Sequence, residues 1–293
     1  MPTSTRSRRD WGPYGFVGPL LAIEIVFVAF PLCLGFYYSL HRADFFQITE
    51  FRGLGNYERI LASPMVLNSI WVTSVFSIFA LFFTFIVGFA LALHLERDTR
   101  LNVFLRAVVL VPYVIAMLVG SLLLKWIFTQ DSGLTHFILG PLGLGQATIL
   151  ADPQAAMGAL VFNAVWRDSA FAMILLLAGL KSIDPQLYAA ARVDGAGPWM
   201  RFRTLTLPLM RVPILITTIR LLIHFVNVLT FALILTGGGP NEATQTLGLT
   251  MYRIGFIDFR IGQASAMAIL VFLFNLCLIA VLLRLFREKR GAA

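Results

Sequence analysis

Charged residues and cysteine are both scarce in this sequence. Asp, Glu, Lys and Arg make up 13% of the 293 residues, whereas ordinary soluble domains carry about a quarter. Hydrophobic residues reach 58% and the mean hydropathy is +0.82. The composition therefore excludes a sizeable water-soluble domain and indicates an integral membrane protein. The two cysteines, Cys33 and Cys277, lie within apolar stretches, which argues against a disulfide framework and predicts buried thiols.

Sequence patterns for enzyme chemistry are also missing. No Gly-x-x-x-x-Gly-Lys-Ser/Thr phosphate-binding loop occurs, so the chain cannot hydrolyse ATP alone. Asp44, Asp131 and Asp152, which fall in predicted external loops, are isolated from one another. No His or Cys cluster has metal-ligand spacing either. These absences argue against a membrane enzyme acting on lipid-linked substrates and predict no catalytic residue and no metal site. The lack of a convincing internal inverted repeat argues against a self-contained secondary transporter.

Six apolar stretches are long enough to cross a bilayer, which takes roughly 18 residues or more. The first follows an Arg-rich start but has no small-residue cleavage site, so it is interpreted as an uncleaved span. We predict an all-α integral membrane protein with one transmembrane domain over residues 16–286, a tail at 1–15 and another at 287–293. The predicted spans lie near 16–40, 68–95, 103–128, 157–180, 212–236 and 264–286.

Basic residues are distributed unequally between the two predicted sides of the membrane. The side of the termini holds Arg6, Arg8, Arg9, Arg97, Arg100, Arg106, Lys181, Arg192, Arg201, Arg203, Arg211, Arg284, Arg287, Lys289 and Arg290. The other side holds Arg42, Arg52, Arg59, Arg253 and Arg260, and Lys125, Arg167 and Arg220 fall within spans. Because cytoplasmic loops carry the excess of Lys and Arg, both termini are predicted to be cytoplasmic. The same distribution explains the net charge of +8 without a nucleic-acid partner.

The loop at 181–211 joins the fourth and fifth spans on the cytoplasmic side. Asp184 can cap a helix that begins at Pro185 and continues through three alanines. Asp194 and Gly195 end that helix, and Gly197 with Pro198 starts a second one. The pattern predicts a compact helix-turn-helix with a small face and basic and aromatic neighbours. Such a unit either docks another protein or lies as an amphipathic loop against lipid headgroups.

Polar residues mark one face of each of two spans. In the fifth span Thr217, Arg220, His224 and Asn227 recur at helical spacing, and in the fourth Asn163, Arg167 and Phe171 share a face beside Asp168. A charge at mid-span costs about 2.5–3.5 kcal/mol on insertion scales. These residues therefore either bind a polyol, through paired donors, acceptors and a ring, or form bonds between helices and subunits.

Several motifs occur in an order that resembles a known family. YAAARVDGAGPWMRF at 188–202, followed by a Leu-Pro, is similar to the cytoplasmic E-A-A-x-x-D-G-A motif of permease subunits in bacterial binding-protein-dependent ABC importers. FRGLGNY at 51–57 and LTGGGPNEAT at 235–244 resemble the sugar and glycerol-phosphate branch, and in particular the first of its two permeases. Ala189 stands where the family motif has Glu.

The resemblance implies a maltose-type fold, a set of partners and two sets of functional residues. The partners are a second homologous permease, a dimer of a cytoplasmic ABC ATPase that binds ATP and Mg, an extracytoplasmic solute-binding protein, and the lipid of the bacterial inner membrane. This chain itself binds no cofactor. Residues assigned to ATPase coupling are Ala189, Ala190, Ala191, Asp194, Gly195, Ala196, Phe202, Leu207 and Pro208. Residues assigned to the solute, with Asn163 and Arg220 added from the polar faces, are Arg167, Asp168, Phe171, Leu221, His224, Asn227 and Val228.

The resemblance also implies a function with one open choice. It implies alternating-access import of a sugar or related polyol, and the two arginines in the spans leave a phosphorylated polyol open beside a neutral sugar. The Ala189 replacement implies that one polar contact with the ATPase is missing from this half of the transporter.

Overall fold

The computed structural model describes residues 12–45, 47–129, 134–139 and 149–287. Helices long and apolar enough to cross a bilayer lie at Val17–Ser39, Pro64–His94, Pro153–Lys181, Arg211–Thr236 and Ile261–Phe286. The predicted all-α membrane class is therefore confirmed. Most of the predicted tails, residues 1–11 and 288–293, and Asp131 lie outside the described residues.

The described chain divides into two compact units. The first unit contains the described residues up to 60 and residues 254–271. Its elements in chain order are α1 (Gly12–Glu24), a π-helical turn (Ile25–Ala29), α2 (Phe30–Ser39), β1 (His41–Asp44), β2 (Gln47–Phe51), α3 (Gly55–Leu61) and the first part of α14 (Ile261–Arg287). β1 and β2 pair as an antiparallel hairpin that the sequence did not predict. All five residues of β2 are exposed, and Ala43 is the one buried residue of β1. The pair therefore lacks the long apolar and polar alternation that marks a half-buried strand.

The second unit contains residues 61–253 and the described residues from 272 onward. Its helices are α4 (Pro64–His94), α5 (Arg100–Val114), α6 (Met117–Phe128), α7 (Leu134–Leu139), α8 (Pro153–Lys181), α9 (Pro185–Val193), α10 (Pro198–Arg201), α11 (Leu207–Leu209), α12 (Arg211–Asn227), α13 (Leu247–Tyr252) and the rest of α14. π-helical turns occupy Phe202–Thr206 and Ala232–Thr236. A third, Arg253–Ile257, begins at the last residue of segment 61–253 and otherwise belongs to the first unit. The main core of this unit forms where Phe76, Phe225 and Phe231 are fully buried.

The third predicted span, 103–128, is not one helix. α5 and α6 meet at an angle of 91°, and the backbone of Ile115 and Ala116 between them is extended. Such a break leaves carbonyl groups without helical partners, which in an apolar surrounding must be satisfied by other groups. Arg167 from α8 supplies a donor to one of them, the carbonyl oxygen of Tyr113, at 3.4 Å.

The two cysteines are free and exposed on the surface of the chain, so the prediction of buried thiols is wrong. Both lie in helices with the composition of membrane spans. The outer face of such a helix meets lipid or another subunit, where a thiol is accepted as readily as in a core.

α4 packs against α8 through small residues. A Cβ on Gly88 of α4 would lie 2.5 Å from the Cβ of Ala172 and 3.0 Å from the carbonyl oxygen of Ser169. The absence of a side chain at Gly88 therefore sets how closely the two helices approach, as small residues do in membrane bundles.

A salt-bridge cluster ties the turn between α4 and α5 to the end of α8. Asp98 accepts hydrogen bonds from Lys181 Nζ at 2.6 and 2.8 Å and from Arg106 Nη1 at 2.8 Å. The hydrogen bond from Lys181, followed by the one from Arg106, lowers the pKa of Asp98. The cluster thereby fixes the point from which the chain continues into α9.

Gly88→Ala is expected to destabilise the protein, whereas Gly158→Ala is not. An overpacked core costs about 1–3 kcal/mol, which exceeds the gain of about 1 kcal/mol from replacing a helical glycine. A Cβ on Gly158, in α8, meets nothing within 4 Å. Alanine at that position therefore causes no overpacking and adds only the stability that comes from replacing a helical glycine. Thermal unfolding of the purified transporter measures both, and equal melting temperatures for the two variants would contradict the packing argument.

Asp98→Asn is expected to lower the melting temperature slightly at neutral pH, since the cluster is exposed. The folded pKa of Asp98 is lowered, so its stabilisation is present above the unfolded value of about 3.9 and is lost as the pH falls through the folded pKa. The difference between the variant and the unaltered protein should therefore shrink below about pH 4. Asp258→Asn is the control, because Asp258 has no ion pair among the described residues.

Candidate functional site

The loop between the fourth and fifth spans begins with the predicted helix. The carboxylate of Asp184 accepts a hydrogen bond from the backbone N–H of Gln186 at 2.8 Å, and α9 starts at Pro185. Ala189 and Ala190 are exposed on α9, and Ala191 is half-buried. The predicted N-cap is therefore confirmed, and the small side chains leave the outer face of α9 open to close approach.

Gly195 ends α9 with a left-handed backbone. Its φ is +79°, a conformation that residues with a Cβ adopt only at a cost. The N–H of Gly195 bonds to the carbonyl of Arg192 at 3.1 Å, and the N–H of Ala196 bonds to that of Ala191 at 2.9 Å. These two bonds form a Schellman motif. The chain reversal after Asp194 is thus held by backbone hydrogen bonds that need glycine at this position.

The second helix of the loop extends from Pro198 through the π-helical turn to Leu209. Phe202 stacks on Trp199 with ring centroids 5.6 Å apart, and Leu207 and Pro208 lie in the last turn. The hydroxyl groups of Tyr188 and Thr206 lie 3.0 Å apart and join the two helices. The predicted helix-turn-helix is therefore a single packed piece.

Apolar side chains project from this loop without cover from the described chain. Val193 is 89% exposed and Trp199 is 72% exposed, and Leu187 and Met200 are also exposed. A cluster of exposed apolar side chains beside arginines marks a surface that contacts a protein or a membrane. The loop therefore has the shape and composition of a contact surface.

A polar cluster lies among the spans of the second unit, with Asp168 at its centre. Asp168 is 2% exposed and accepts a hydrogen bond from Arg167 Nη1 at 3.0 Å. Nε2 of His224, on α12, lies 3.4 Å from Asp168 Oδ2 without hydrogen-bond geometry. Among the described residues, Oδ2 of Asp168, Nε2 of His224 and Nε of Arg167 have no hydrogen-bond partner. The cluster therefore holds unused donors and an unused acceptor inside the bundle.

Two aromatic rings border this cluster. Tyr113 stacks on Phe171 with ring centroids 5.4 Å apart and planes 25° apart. The guanidinium of Arg167 lies 4.8 Å from the centre of the Tyr113 ring, and that of Arg220 lies 5.1 Å from the centre of the Phe171 ring. Tyr113 was not predicted from the sequence. The only signal for it was the neighbouring Pro112 within an otherwise apolar stretch.

The other residues assigned to the solute lie elsewhere. Leu221 and Val228 belong to the hydrophobic core. Asn227 donates to the carbonyl of Ile223 at 2.7 Å and accepts from Asn275 at 3.3 Å. The structure thus brings together Arg167, Asp168, Phe171, Arg220 and His224. Leu221, Val228 and Asn227 have other contacts and join none of these ion-pair or ring contacts.

Asn163 forms part of the contact between α8 and α6. It is buried and donates to Ser121 Oγ at 2.9 Å, while its own Oδ1 has no partner among the described residues. This bond matches the helix-to-helix role that the sequence left open for the polar faces.

The sequence and the fold are similar to those of known proteins. The family described as binding-protein-dependent transport system inner membrane component matches residues 84–291. The trehalose/maltose transport system permease protein MalF of Thermococcus litoralis is 34% identical over 281 residues, which cover 94% of each chain. The sn-glycerol-3-phosphate transport system permease protein UgpA of Brucella abortus is 31% identical over 282 residues, 95% of each chain.

The crystal structure of a bacterial ABC transporter involved in the import of the acidic polysaccharide alginate contains a chain with the same fold. The TM-score is 0.84 over 97% of both chains, at 22% sequence identity. The chain described here therefore belongs to the family of binding-protein-dependent transport system inner membrane components, and it is a multi-pass permease subunit of an ABC importer.

Proposed function

We propose that this permease carries a sugar or related polyol across the bacterial inner membrane by alternating access. The observation that carries the proposal is the cluster of Asp168, Arg167 and His224 beside the stacked rings of Tyr113 and Phe171. Polyol hydroxyls need paired donors and acceptors, and a sugar face packs on an aromatic ring. The solutes named for the relatives, trehalose or maltose and sn-glycerol-3-phosphate, are polyols or carry a polyol group.

The unused polar atoms of the cluster support this role through their position. They are buried in the conformation described, so a solute reaches them only after the spans rearrange. Buried polar groups without partners cost free energy, and a solute hydroxyl that bonds to them removes that cost. A transport cycle in which the spans separate and close again would expose the cluster to each side in turn.

A phosphorylated polyol is the second candidate, and Arg220 favours it. Arg220 is exposed, and it has no acidic partner among the described residues. Asp168, by contrast, already neutralises Arg167 at 3.0 Å. An unpaired guanidinium beside a ring is suited to an anionic group, because it offers paired N–H donors in a fixed geometry.

Energy for the cycle is proposed to enter through the loop around Gly195. A dimer of separate ATPase subunits binds ATP and Mg, and the exposed surface of α9 and the second loop helix docks on it. ATP binding closes the ATPase dimer, and the rigid loop transfers that motion to the spans of this chain and of a second, homologous permease. Solute arrives from the extracytoplasmic binding protein, and ATP hydrolysis restores the inward-facing state.

Gly195→Val is expected to reduce ATPase attachment, whereas Gly197→Val is expected to preserve it. The left-handed backbone at Gly195 penalises any side chain by roughly 1–2 kcal/mol, so the valine reshapes the docking surface. Gly197 has a φ of −66° and no atom within 4 Å of an added Cβ. Co-purification of the ATPase from detergent extracts, together with solute uptake, measures the effect.

We expect at least a tenfold loss of uptake for Gly195→Val, which corresponds to roughly 1.4 kcal/mol. If both variants retain full ATPase and full uptake, the loop does not couple the two proteins. If Trp199→Ala lowers membrane insertion of the permease while the inserted protein still holds its ATPase, the loop is an interfacial anchor instead.

Substitutions at the polar cluster are expected to slow transport. The solute for this assay is the one that co-purifies with the binding protein, identified by mass spectrometry. Because the binding protein captures the solute first, the effect falls on the maximal rate at saturating binding protein. Phe171→Ala should lower that rate about tenfold, or roughly 1.4 kcal/mol. Asn227→Ala is the matched control, because Asn227 bonds to Ile223 and Asn275 and not to the cluster.

Arg220→Gln separates the two candidate solutes. We expect a loss of about tenfold or more for a phosphorylated polyol and a change of less than about twofold for a neutral sugar. If Phe171→Ala transports at the unaltered rate, the cluster serves only helix packing and the proposed pocket is wrong.

A further inference from the structure

A cavity of about 230 Å³ in the first unit has four arginines among its nine lining residues. The hairpin, α3 and the start of α14 form it, and its lining includes Arg42, Arg52, Arg59, Arg260 and one carboxylate, Asp44. We refer to it as the arginine cavity. All of its lining residues follow the first span, precede the second or begin the sixth, so they lie on the predicted extracytoplasmic side.

This concentration of arginine has no explanation in membrane topology. The predicted extracytoplasmic side holds five basic residues, against fifteen on the cytoplasmic side, and four of the five line this one cavity. Both the charge bias of membrane proteins and the strongest attraction to anionic lipid favour the cytoplasmic side. Like charges this close repel each other, so the cluster is expected to have an anionic partner.

The cavity is held in place by its surrounding backbone. The side-chain amide of Asn56 donates to the carbonyls of Ser39 at 2.9 Å and His41 at 2.8 Å. A Cβ on Gly262 would run into the carbonyl oxygen of His41, so α14 begins directly against β1. The backbones of Asp44 and Arg260 pair. These contacts fix where the arginines emerge and leave the cavity open between them.

Two of the four arginines lack an acidic partner. Arg42 pairs with Asp44 at 2.8 Å, and Arg52 lies 3.7 Å from Glu50. Among the residues that the structure describes, the side chains of Arg59 and Arg260 take part in no ion pair and no hydrogen bond. The cavity therefore presents two uncompensated guanidinium groups, whose planar donors match a carboxylate.

We propose that the arginine cavity receives an acidic side chain of the solute-binding protein when that protein docks on the transporter. The proposal rests on the proposed function, which requires such a protein outside the membrane. The volume favours a side chain over a whole solute, because ligand pockets usually measure about 300–1,000 Å³. Charge pairs at such a contact set its association rate, its salt dependence and its orientation.

The test uses the complete transporter in lipid nanodiscs and the solute-binding protein that stimulates its ATPase. The variant Arg59→Gln with Arg260→Gln removes the two uncompensated charges. We expect it to weaken binding about tenfold or more and to flatten the dependence of binding on salt. Basal ATP hydrolysis should not change. Arg59→Lys with Arg260→Lys keeps the charges without the planar donors and should bind with intermediate affinity.

Lys125→Gln is the matched control, because it removes a positive charge near the predicted outer end of the third span and Lys125 does not line the cavity. It should bind like the unaltered transporter. If the double glutamine variant also binds within about twofold of the unaltered transporter, the proposal is wrong. If its binding is unchanged and only the content of anionic lipid alters its behaviour, the cavity holds a lipid headgroup and the proposal is again wrong.

The outcome also separates this inference from the proposed function. A transporter that takes up its solute and binds its solute-binding protein regardless of the arginines refutes only the role of the cavity. A transporter that binds no solute-binding protein and takes up no solute refutes both.

Discussion

A carboxylate buried among apolar spans must be neutralised, and Asp168 determines how three parts of the bundle meet. Arg167 pairs with it from the same helix at 3.0 Å, and His224 approaches from α12. Arg167 also reaches the carbonyl of Tyr113, where the third span is broken. Removing one partner of a buried ion pair typically costs about 3–5 kcal/mol. The break in the third span leaves the carbonyl oxygen of Tyr113 available, and Arg167 in the fourth span donates a hydrogen bond to it. The broken backbone and the guanidinium of Arg167 therefore stabilise each other.

The loop around Gly195 is stabilised in a different way, by the geometry of its backbone turn. Its apolar side chains stay uncovered by the described chain. The left-handed turn and the Tyr188–Thr206 contact hold its two helices together. The salt bridge from Lys181 to Asp98 ties the end of α8, where the loop begins, to the turn before α5. A rigid element with an exposed apolar face is suited to transmit motion from a partner protein. The role proposed for it is mechanical, and the sequence contains no phosphate-binding loop.

Much of this arrangement could be predicted from the sequence. The length of an apolar stretch, the bias of basic residues and the backbone freedom of a glycine can each be recognised within a short segment of the chain. The apolar stretches, the Asp184 cap and the turn at Gly195 are features of this kind. The 91° break before Met117 was not predicted, since α5 and α6 together have the length and composition of one span. Tyr113 therefore went unnoticed, although it stacks on a predicted residue. Helical spacing placed Asn227 on the face of His224, but its side chain bonds to the carbonyl of Ile223 and to Asn275. No local rule predicts a partner 48 positions further along the chain.

The proposed function requires that transport through this chain be driven by a separate ATPase. The most direct test reconstitutes both permease subunits into proteoliposomes, with and without the ATPase subunits, and measures uptake of solute delivered by the binding protein. We expect uptake only when the ATPase, ATP and Mg are all present. Uptake of equal rate and extent without the ATPase would contradict it and would identify the chain as a self-contained transporter.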